Sequence, residues 1–378
     1  MIEKKIVSEY VSYGHPDKIA DQIADCILDN IISEDADARA GIEVMVKDNV
    51  VVLGGEVHFN GMIDYENCVR SVFDDLNFPD LESDKIKIVN LIGQQSTEIH
   101  NGVDKDGEVN AGDQGFMVGF ASNETKDFMP LGSYLARTIC NAVVNEWYGP
   151  DAKTQVIVSY DENGNALSVD SILVSAMHYD SLEDIRKNVT ELIEENRVGI
   201  DEDIFERFFS KRYVKIDVNP CGEWRVGGPV SDCGVTGRKL VVDAYGGYCN
   251  IGGGNQSGKD LSKVDRSGAY IARYIAKNIV ASGFSDTAKV TLSYMIGVAE
   301  PCSVDIELNR NNDEKHINAL KNYIREHVNL TPGGIIEFFD PTVPRYYMTS
   351  RNGHYGFEGD WRRPWEKLDI ADEIKKLI

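Results

Sequence analysis

The sequence predicts an α+β protein of three similar domains, each laying helices on a mixed, mostly antiparallel sheet. Three observations lead there. The chain is 378 residues long, enough for two or three cores. Runs of alternating hydrophobicity are interspersed with runs of helical period. The order helix, paired strands, helix, strand returns three times at a spacing of roughly 120 to 130 residues, too long for a solenoid repeat and natural for helices packed on sheets.

In the first repeat, Ile19, Ala20, Ile23, Ala24, Ile27, Leu28 and Ile31 recur at helical spacing from Asp17 on, and Pro16 suits a first helical turn. Strand-like runs over Gly41 to Lys47 and Val50 to Val57 meet at Asp48 and Asn49 as a hairpin. A helix from about Met62 to Leu76 and a strand from Lys85 to Leu91 follow. The second repeat predicts a helix over Leu131 to Trp147, strands Thr154 to Tyr160 and Ala166 to Ala176, a helix Leu182 to Glu195 and an extended Tyr213 to Val218. The third predicts a helix Asp265 to Ala281, strands Ala288 to Val298 and Ser303 to Leu308, a helix Glu314 to His327 and a closing apolar strand over Ile335 to Phe339. The expected domains are residues 1–100, 101–226 and 227–378.

The formal net charge of -23 excludes a nucleic-acid coat and an anionic membrane surface as partners. Seven scattered cysteines, none in a C-x-x-C pair, read as reduced thiols of a cytoplasmic protein. The N-terminal MIEKKIVSEY lacks the apolar stretch of a signal peptide, and no run is long enough to cross a bilayer.

Against this acidic background, cations gather at glycine-rich loops. The stretch Val241 to Tyr270 opens with an apolar, strand-like run and carries six glycines within thirteen residues, then Lys259, Lys263 and Asp265. Glycine lets backbone N–H groups approach an anion, and the lysines supply the charge a polyphosphate requires. Gly253-x-x-x-x-Gly258-Lys259 nearly completes a Walker A loop, but Asp260 follows where Ser or Thr should hold Mg²⁺, so an unrelated phosphate loop is the better reading. Lys18, Arg238 and Lys239 stand in parallel places, and together these cations would bind about three phosphates. Asp17, Asp113, Asp232 and Asp265 share the loops and could recruit Mg²⁺, or act as caps and turn residues. His15 is either a helix cap or a donor to a leaving oxygen at a dipole end. Glu56 is a surface charge or a substrate carboxylate, and Trp224 is core or a platform for a base. Gln94 to Gly112, long and aperiodic, reads as a mobile lid.

Taken together, GHPDK (Gly14 to Lys18), AGDQG (Ala111 to Gly115), GGP-x-x-DCG-x-TGRK (Gly227 to Lys239), D-x-YGG (Asp243 to Gly247) and GGG-x-x-SGKD-x-SKVDRS (Gly252 to Ser267) resemble the S-adenosylmethionine synthetases of the bacterial and eukaryotic type. The likeness runs from Ser8 to about Lys367, with PWEK near the end.

That resemblance implies a methionine adenosyltransferase of three pseudo-threefold repeats. Methionine sulfur attacks ribose C5′ of ATP, and the released triphosphate is hydrolysed to pyrophosphate and phosphate. Two Mg²⁺ and one K⁺ per site serve as cofactors, and the site lies between subunits of a dimer or dimer of dimers. By motif position, His15, Lys153, Arg238 and Lys259 would be catalytic, and these with Asp151, Trp224, Asp232, Lys239 and Asn255 would bind ATP. Glu56, Gln95, Asp232 and Lys263 would take methionine, Asp17 and Asp265 Mg²⁺, and Glu43 K⁺. Departures from the family pattern fall at Asn255 and Gln256, where Ala-Phe is usual, and at Glu223 and Tyr13. An inactive or substrate-shifted nucleotide-binding paralogue and a P-loop-like phosphotransferase are the alternatives.

Overall fold

The computed structural model describes residues 4–76, 78–79, 81–94, 104–105, 108–146, 148–309, 313–357 and 359–377. In chain order, the first elements are β1 (Lys4–Val11), α1 (Pro16–Glu34), β2 (Arg39–Lys47), β3 (Val50–His58), α2 (Tyr65–Leu76), β4 (Lys87–Asn90) and β5 (Gly93–Gln94). Then come β6 (Asp104–Lys105), β7 (Glu108–Val109), β8 (Gly115–Ser122), α3 (Leu131–Asn145), β9 (Ala152–Tyr160), β10 (Ala166–Ala176), α4 (Leu182–Glu194), α5 (Glu202–Phe208) and β11 (Lys215–Val218). The last part holds α6 (Gly228–Ser231), β12 (Gly234–Val235), α7 (Leu240–Asp243), α8 (Val264–Ala281), β13 (Thr287–Tyr294), β14 (Ser303–Leu308), α9 (Glu314–His327), α10 (Pro332–Phe339), α11 (Tyr346–Asn352) and α12 (Ala371–Lys375).

Three main sheets form among the described residues, in strand orders β12-β2-β3-β4 (with β5 also beside β3), β1-β9-β10-β11 and β14-β13-β8. Pairing is antiparallel except at β10–β11, β3–β4 and β3–β5, so the α+β, mostly antiparallel expectation holds. The long helices α1, α3 and α8 cover one sheet each. The strand that precedes each of these helices does not join that helix's own sheet. β1 pairs along its whole length with β9 under α3, β8 pairs with β13 under α8, and β12 pairs with β2 under α1. The three repeats are therefore cyclically interleaved, and cuts at residues 100 and 226 run through all of these pairings.

Local sequence explains the layers. On β2, Ala40, Ile42, Val44 and Val46 are buried, while Glu43 and Met45 between them are exposed, the period of a half-buried strand. Across the interface Ile19, Ile23, Ile27 and Ile31 of α1 are fully buried, each such side chain contributing about 1.5–3 kcal/mol.

Two expected strands are helical. Ile335 to Phe339 lies in α10, because the Thr331 side chain caps Gly334 N–H and Pro332 sits in the first turn, a helix start that outweighs a short apolar run. The run after Lys239 forms the single turn α7. β13 ends at Tyr294, and Met295 to Val298 make an exposed turn with Gly297 at positive φ. The expected lid lies largely outside the described residues. Its end is docked by Ala111, whose N–H donates to Val298 O (3.1 Å) and whose carbonyl accepts from Gly297 N–H (2.8 Å). Among the described residues no helix is long and apolar enough to cross a membrane.

Candidate active site

α1 begins at Pro16, within the GHPDK motif. His15 is its N-cap and is almost fully buried; its Nδ1 accepts from Asp17 N–H (3.1 Å). With Nδ1 used as an acceptor, the ring proton of the neutral form is on Nε2. Burial, with the Lys239 and Lys153 charges behind it, pushes the imidazole down to about 3, so His15 is a neutral donor at physiological pH.

The Asp17 carboxylate is buried at the same turn. Oδ1 accepts from Val235 N–H (2.9 Å), Oδ2 pairs with Lys239 Nζ (2.5 Å), and Arg238 Nε lies 3.7 Å from Oδ1. Burial alone would raise this acid, but the Lys239 and Val235 hydrogen bonds outweigh it and hold Asp17 below the usual carboxylate range. Around this pair opens a cleft of about 470 Å³ lined by His15, Asp17, Lys153, Asp232, Arg238 and Lys239, with Glu9 and Val11 of β1 and Leu240 to Val242. Residues from positions 15, 153 and 232 to 239 converge because β1 lies beside β9, which carries Lys153, while β12 lies across α1. The cleft holds three cationic side chains, Lys153, Arg238 and Lys239, beside three carboxylates, Glu9, Asp17 and Asp232.

Asp151, one residue before β9, is buried and accepts from Gly228 N–H (2.7 Å) through Oδ2, while Oδ1 has no hydrogen-bond partner among the described residues. Burial pushes this carboxyl up to about 6. Trp224 is half-buried, and its ring N–H donates to Val226 O (2.7 Å).

A second group is assembled by the third glycine loop. Gly258 to Asp260 extends along the edge of β2 beyond β12: Ile42 N–H donates to Gly258 O (2.9 Å) and Asp260 N–H to Ala40 O (3.2 Å). Lys259 Nζ pairs with Asp265 Oδ2 (2.5 Å) at the start of α8, and a Cβ on Gly254 would overlap the Asp265 carboxylate, so glycine makes room for that acid. Asp265 borders a narrow cavity with Gly254, Gln256, Phe116 and Tyr355, which shares Leu240 with the first cleft. Lys263 pairs with Asp260 (3.5 Å). Glu43 accepts from the Thr236 hydroxyl, and Glu56 stands opposite Gly41 on the same outer sheet face. Lys259, Lys263, Asp265, Glu43 and Glu56 are not among the residues lining the first cleft. Gln95 lies outside the described residues.

Some cations and acids have other roles. Lys18, expected among the phosphate ligands, is buried in ion pairs with Asp21 (3.1 Å) and Asp243 (2.6 Å), which hold it protonated against the cost of burial. Asp113 accepts from the adjacent Gln114 N–H (2.7 Å), as a turn residue does. Asp260, at the Walker serine position, is buried and accepts from Ala40 N–H (2.8 Å) and Ser262 N–H (2.7 Å), which removes the P-loop reading. Asn255 closes its own turn, accepting from Ser257 N–H (3.1 Å) and donating to Ser257 O (2.8 Å); Gln256 donates to Tyr355 Oη (2.7 Å). Arg351 stacks on Tyr13 at 4.4 Å, and Glu223 pairs with Arg225 (3.3 Å). Not anticipated were Asp21 and Asp25, whose four-residue spacing from Asp17 was the available signal.

Mg²⁺ commonly takes one or two carboxylates and completes its shell with water and phosphate oxygens. Asp17 and Asp265 fit that pattern, each a single carboxylate, the first paired with Lys239 and Arg238 and the second with Lys259. Among the described residues no three His, Cys, Asp or Glu groups gather into a cage.

Family models of the S-adenosylmethionine synthetase N-terminal, central and C-terminal domains match residues 3–97, 108–224 and 226–367. A solved structure described as an unusual S-adenosylmethionine synthetase from Campylobacter jejuni is 36% identical, covers 99% of both chains and superposes with a TM-score of 0.87. With the lysine, arginine and histidine cleft built from the same motifs that the family models span, the chain belongs to the S-adenosylmethionine synthetase family.

Proposed function

We propose that this chain is a methionine adenosyltransferase that joins ATP and L-methionine by in-line attack of the thioether sulfur on ribose C5′, and then hydrolyses the triphosphate to pyrophosphate and phosphate. The observation that carries this reading is the convergence of neutral His15 with Lys153, Arg238 and Lys239 in one cleft. A thioether is a neutral nucleophile and needs no general base. Rate must come from alignment, which supplies about 7–11 kcal/mol when reactants are held in line, and from stabilising charge on the departing triphosphate.

The residues divide that work. His15 Nε2–H donates toward the leaving oxygen, and Lys153, Arg238, Lys239 and Lys259 take the phosphates. Asp151 and Trp224 hold the nucleoside, Asn255 borders it through its turn, and Asp232 meets both substrates. Methionine would sit by Glu56, Gln95 and Lys263, its amino group toward the Glu56 carboxylate and its carboxylate toward Lys263. The two lysine–carboxylate pairs, Lys239 with Asp17 and Lys259 with Asp265, support a paired exchange on binding: the lysines turn to phosphate and the carboxylates to metal. Asp17 and Asp265 would hold two Mg²⁺ and Glu43 one K⁺, and these ions supply neutralisation of the triphosphate charge. The first cleft is lined without Glu56, Lys259, Lys263 or Asp265, which favours self-association, a dimer or dimer of dimers, as the way the other half of the site is brought in.

Incubation with ATP, L-methionine, Mg²⁺ and K⁺ should give the sulfonium product with pyrophosphate and phosphate. ADP as product, or no sulfonium, would refute the assignment.

A further inference from the structure

α1 presents an aspartate at each turn from Asp17 to Asp29, and every one accepts from a backbone N–H of a remote segment. Val235 N–H donates to Asp17 (2.9 Å), Gly237 N–H to Asp21 (3.0 Å) and Gly258 N–H to Asp25 (2.7 Å). Tyr346 and Tyr347 N–H both donate to Asp29 (2.9 and 3.0 Å). Residues four apart share a helix face and are about 6 Å apart along the axis. The middle two partners are alike: Gly237 and Gly258 both have positive φ (73° and 78°), and each directly precedes cations of the site, Arg238 with Lys239 and Lys259. Asp21 and Asp25 are buried, braced by Lys18 and by a two-oxygen contact from Arg266 Nη2 (2.7 and 3.0 Å).

Packing alone does not call for this row. Apolar residues would fill the same face at lower desolvation cost, since buried ion pairs often do no better than hydrophobic replacements. What carboxylates provide, and apolar groups cannot, is acceptors at a regular spacing for amides whose own turns leave them unpaired.

We propose that Asp21 and Asp25 are positioning residues: they hold the Gly237 and Gly258 amides one helical turn apart and thereby set the spacing at which Arg238, Lys239 and Lys259 meet the triphosphate. Neither needs to touch substrate. The inference rests on the polyphosphate role given to those cations above.

The test reads binding of inorganic triphosphate with Mg²⁺ by calorimetry, which needs no turnover, alongside S-adenosylmethionine formation. Asp21→Ala removes the acceptor; Asp21→Asn keeps an acceptor oxygen. Loss of a bond to a charged acceptor corresponds to roughly a ten- to hundredfold weaker Kd for Asp21→Ala, with the melting transition retained, and Asp21→Asn should recover most of that loss. Wild-type-like binding by Asp21→Ala, or Asp21→Asn as weak as Asp21→Ala, overturns the proposal. Should Asp21→Ala not fold, amide exchange of the wild-type protein decides: the Gly237 and Gly258 amides are expected to be protected, and fast exchange at both overturns the proposal. Wild-type protein that binds triphosphate but forms no sulfonium product refutes the reaction instead, and leaves the positioning to be judged on the binding data.

Discussion

Glu366→Gln removes one negative charge, at nearly constant shape, from a buried acid of the C-terminal segment that Arg273 and Lys277 brace. Glu366 is buried; Oε1 accepts from Arg273 Nε (3.1 Å) and Gly356 N–H (3.0 Å), while Oε2 accepts from Arg273 Nη2 (3.2 Å) and lies 2.8 Å from Lys277 Nζ. Arg273 in turn donates to Phe120, Phe128 and Asp127 carbonyls, so the pair ties α8 to β8 and to the PWEK segment. Burial alone would push the Glu366 carboxyl up; the Arg273 and Lys277 charges outweigh it and bring the group down to about 2 from an ordinary 4.5. At about 1.36 kcal/mol per pKa step, that shift amounts to roughly 3 kcal/mol, the lower end of the ~3–5 kcal/mol expected for breaking a buried pair. Because the folded-state value is depressed, the contribution is fully present above about pH 4.5 and is lost as pH falls through about 2. Urea titration at pH 7 should show Glu366→Gln less stable by roughly 3 kcal/mol with unchanged m, and its stability should fall less steeply between pH 4.5 and 2 than that of the wild type. A variant within about 0.5 kcal/mol of wild type, or one with the same acid profile, would mean that the Glu366 charge adds no net stability.

Lys259→Ala should lower kcat/KM by roughly ten- to a hundredfold, the worth of one charge-assisted contact, while the circular dichroism spectrum is unchanged, because the side chain lies on a loop and is partly exposed. Normal turnover would remove its phosphate role. Trp224→Ala should raise KM for ATP by roughly five- to a hundredfold if the indole stacks on the base, since such stacking contributes about 1–3 kcal/mol; lowered stability with unchanged KM would mark Trp224 as packing only.

Much of the fold is legible in local patterns. α1, α3 and α8 follow from apolar residues at helical spacing, and the β2–β3 and β9–β10 hairpins follow from alternation around short polar turns. Where local signals compete, the reading fails: the Thr331-Pro332 start makes α10 a helix although its apolar residues read equally well as a strand. The candidate site is legible as chemistry, through glycine turns followed by cations, and not as geometry. Lys18 and Lys239 look alike in sequence, yet one is buried against Asp21 and Asp243 and the other lines the cleft. Burial depends on which segments come to lie over a residue, and Asp243, which closes over Lys18, is 225 residues away.

Local patterns carry the inventory: three repeats, acidic bulk, cationic glycine loops, and His15 at a helix start. Packing between distant elements sets how the repeats interlock, with β1, β8 and β12 each lending itself to a neighbouring sheet. It also decides which cations share a cleft and which acids on α1 fasten the loops that carry them. The physical reason is that periodicity and turn chemistry act over a few residues, whereas strand exchange and the capture of an amide by a distant carboxylate are set by packing between elements far apart in the chain.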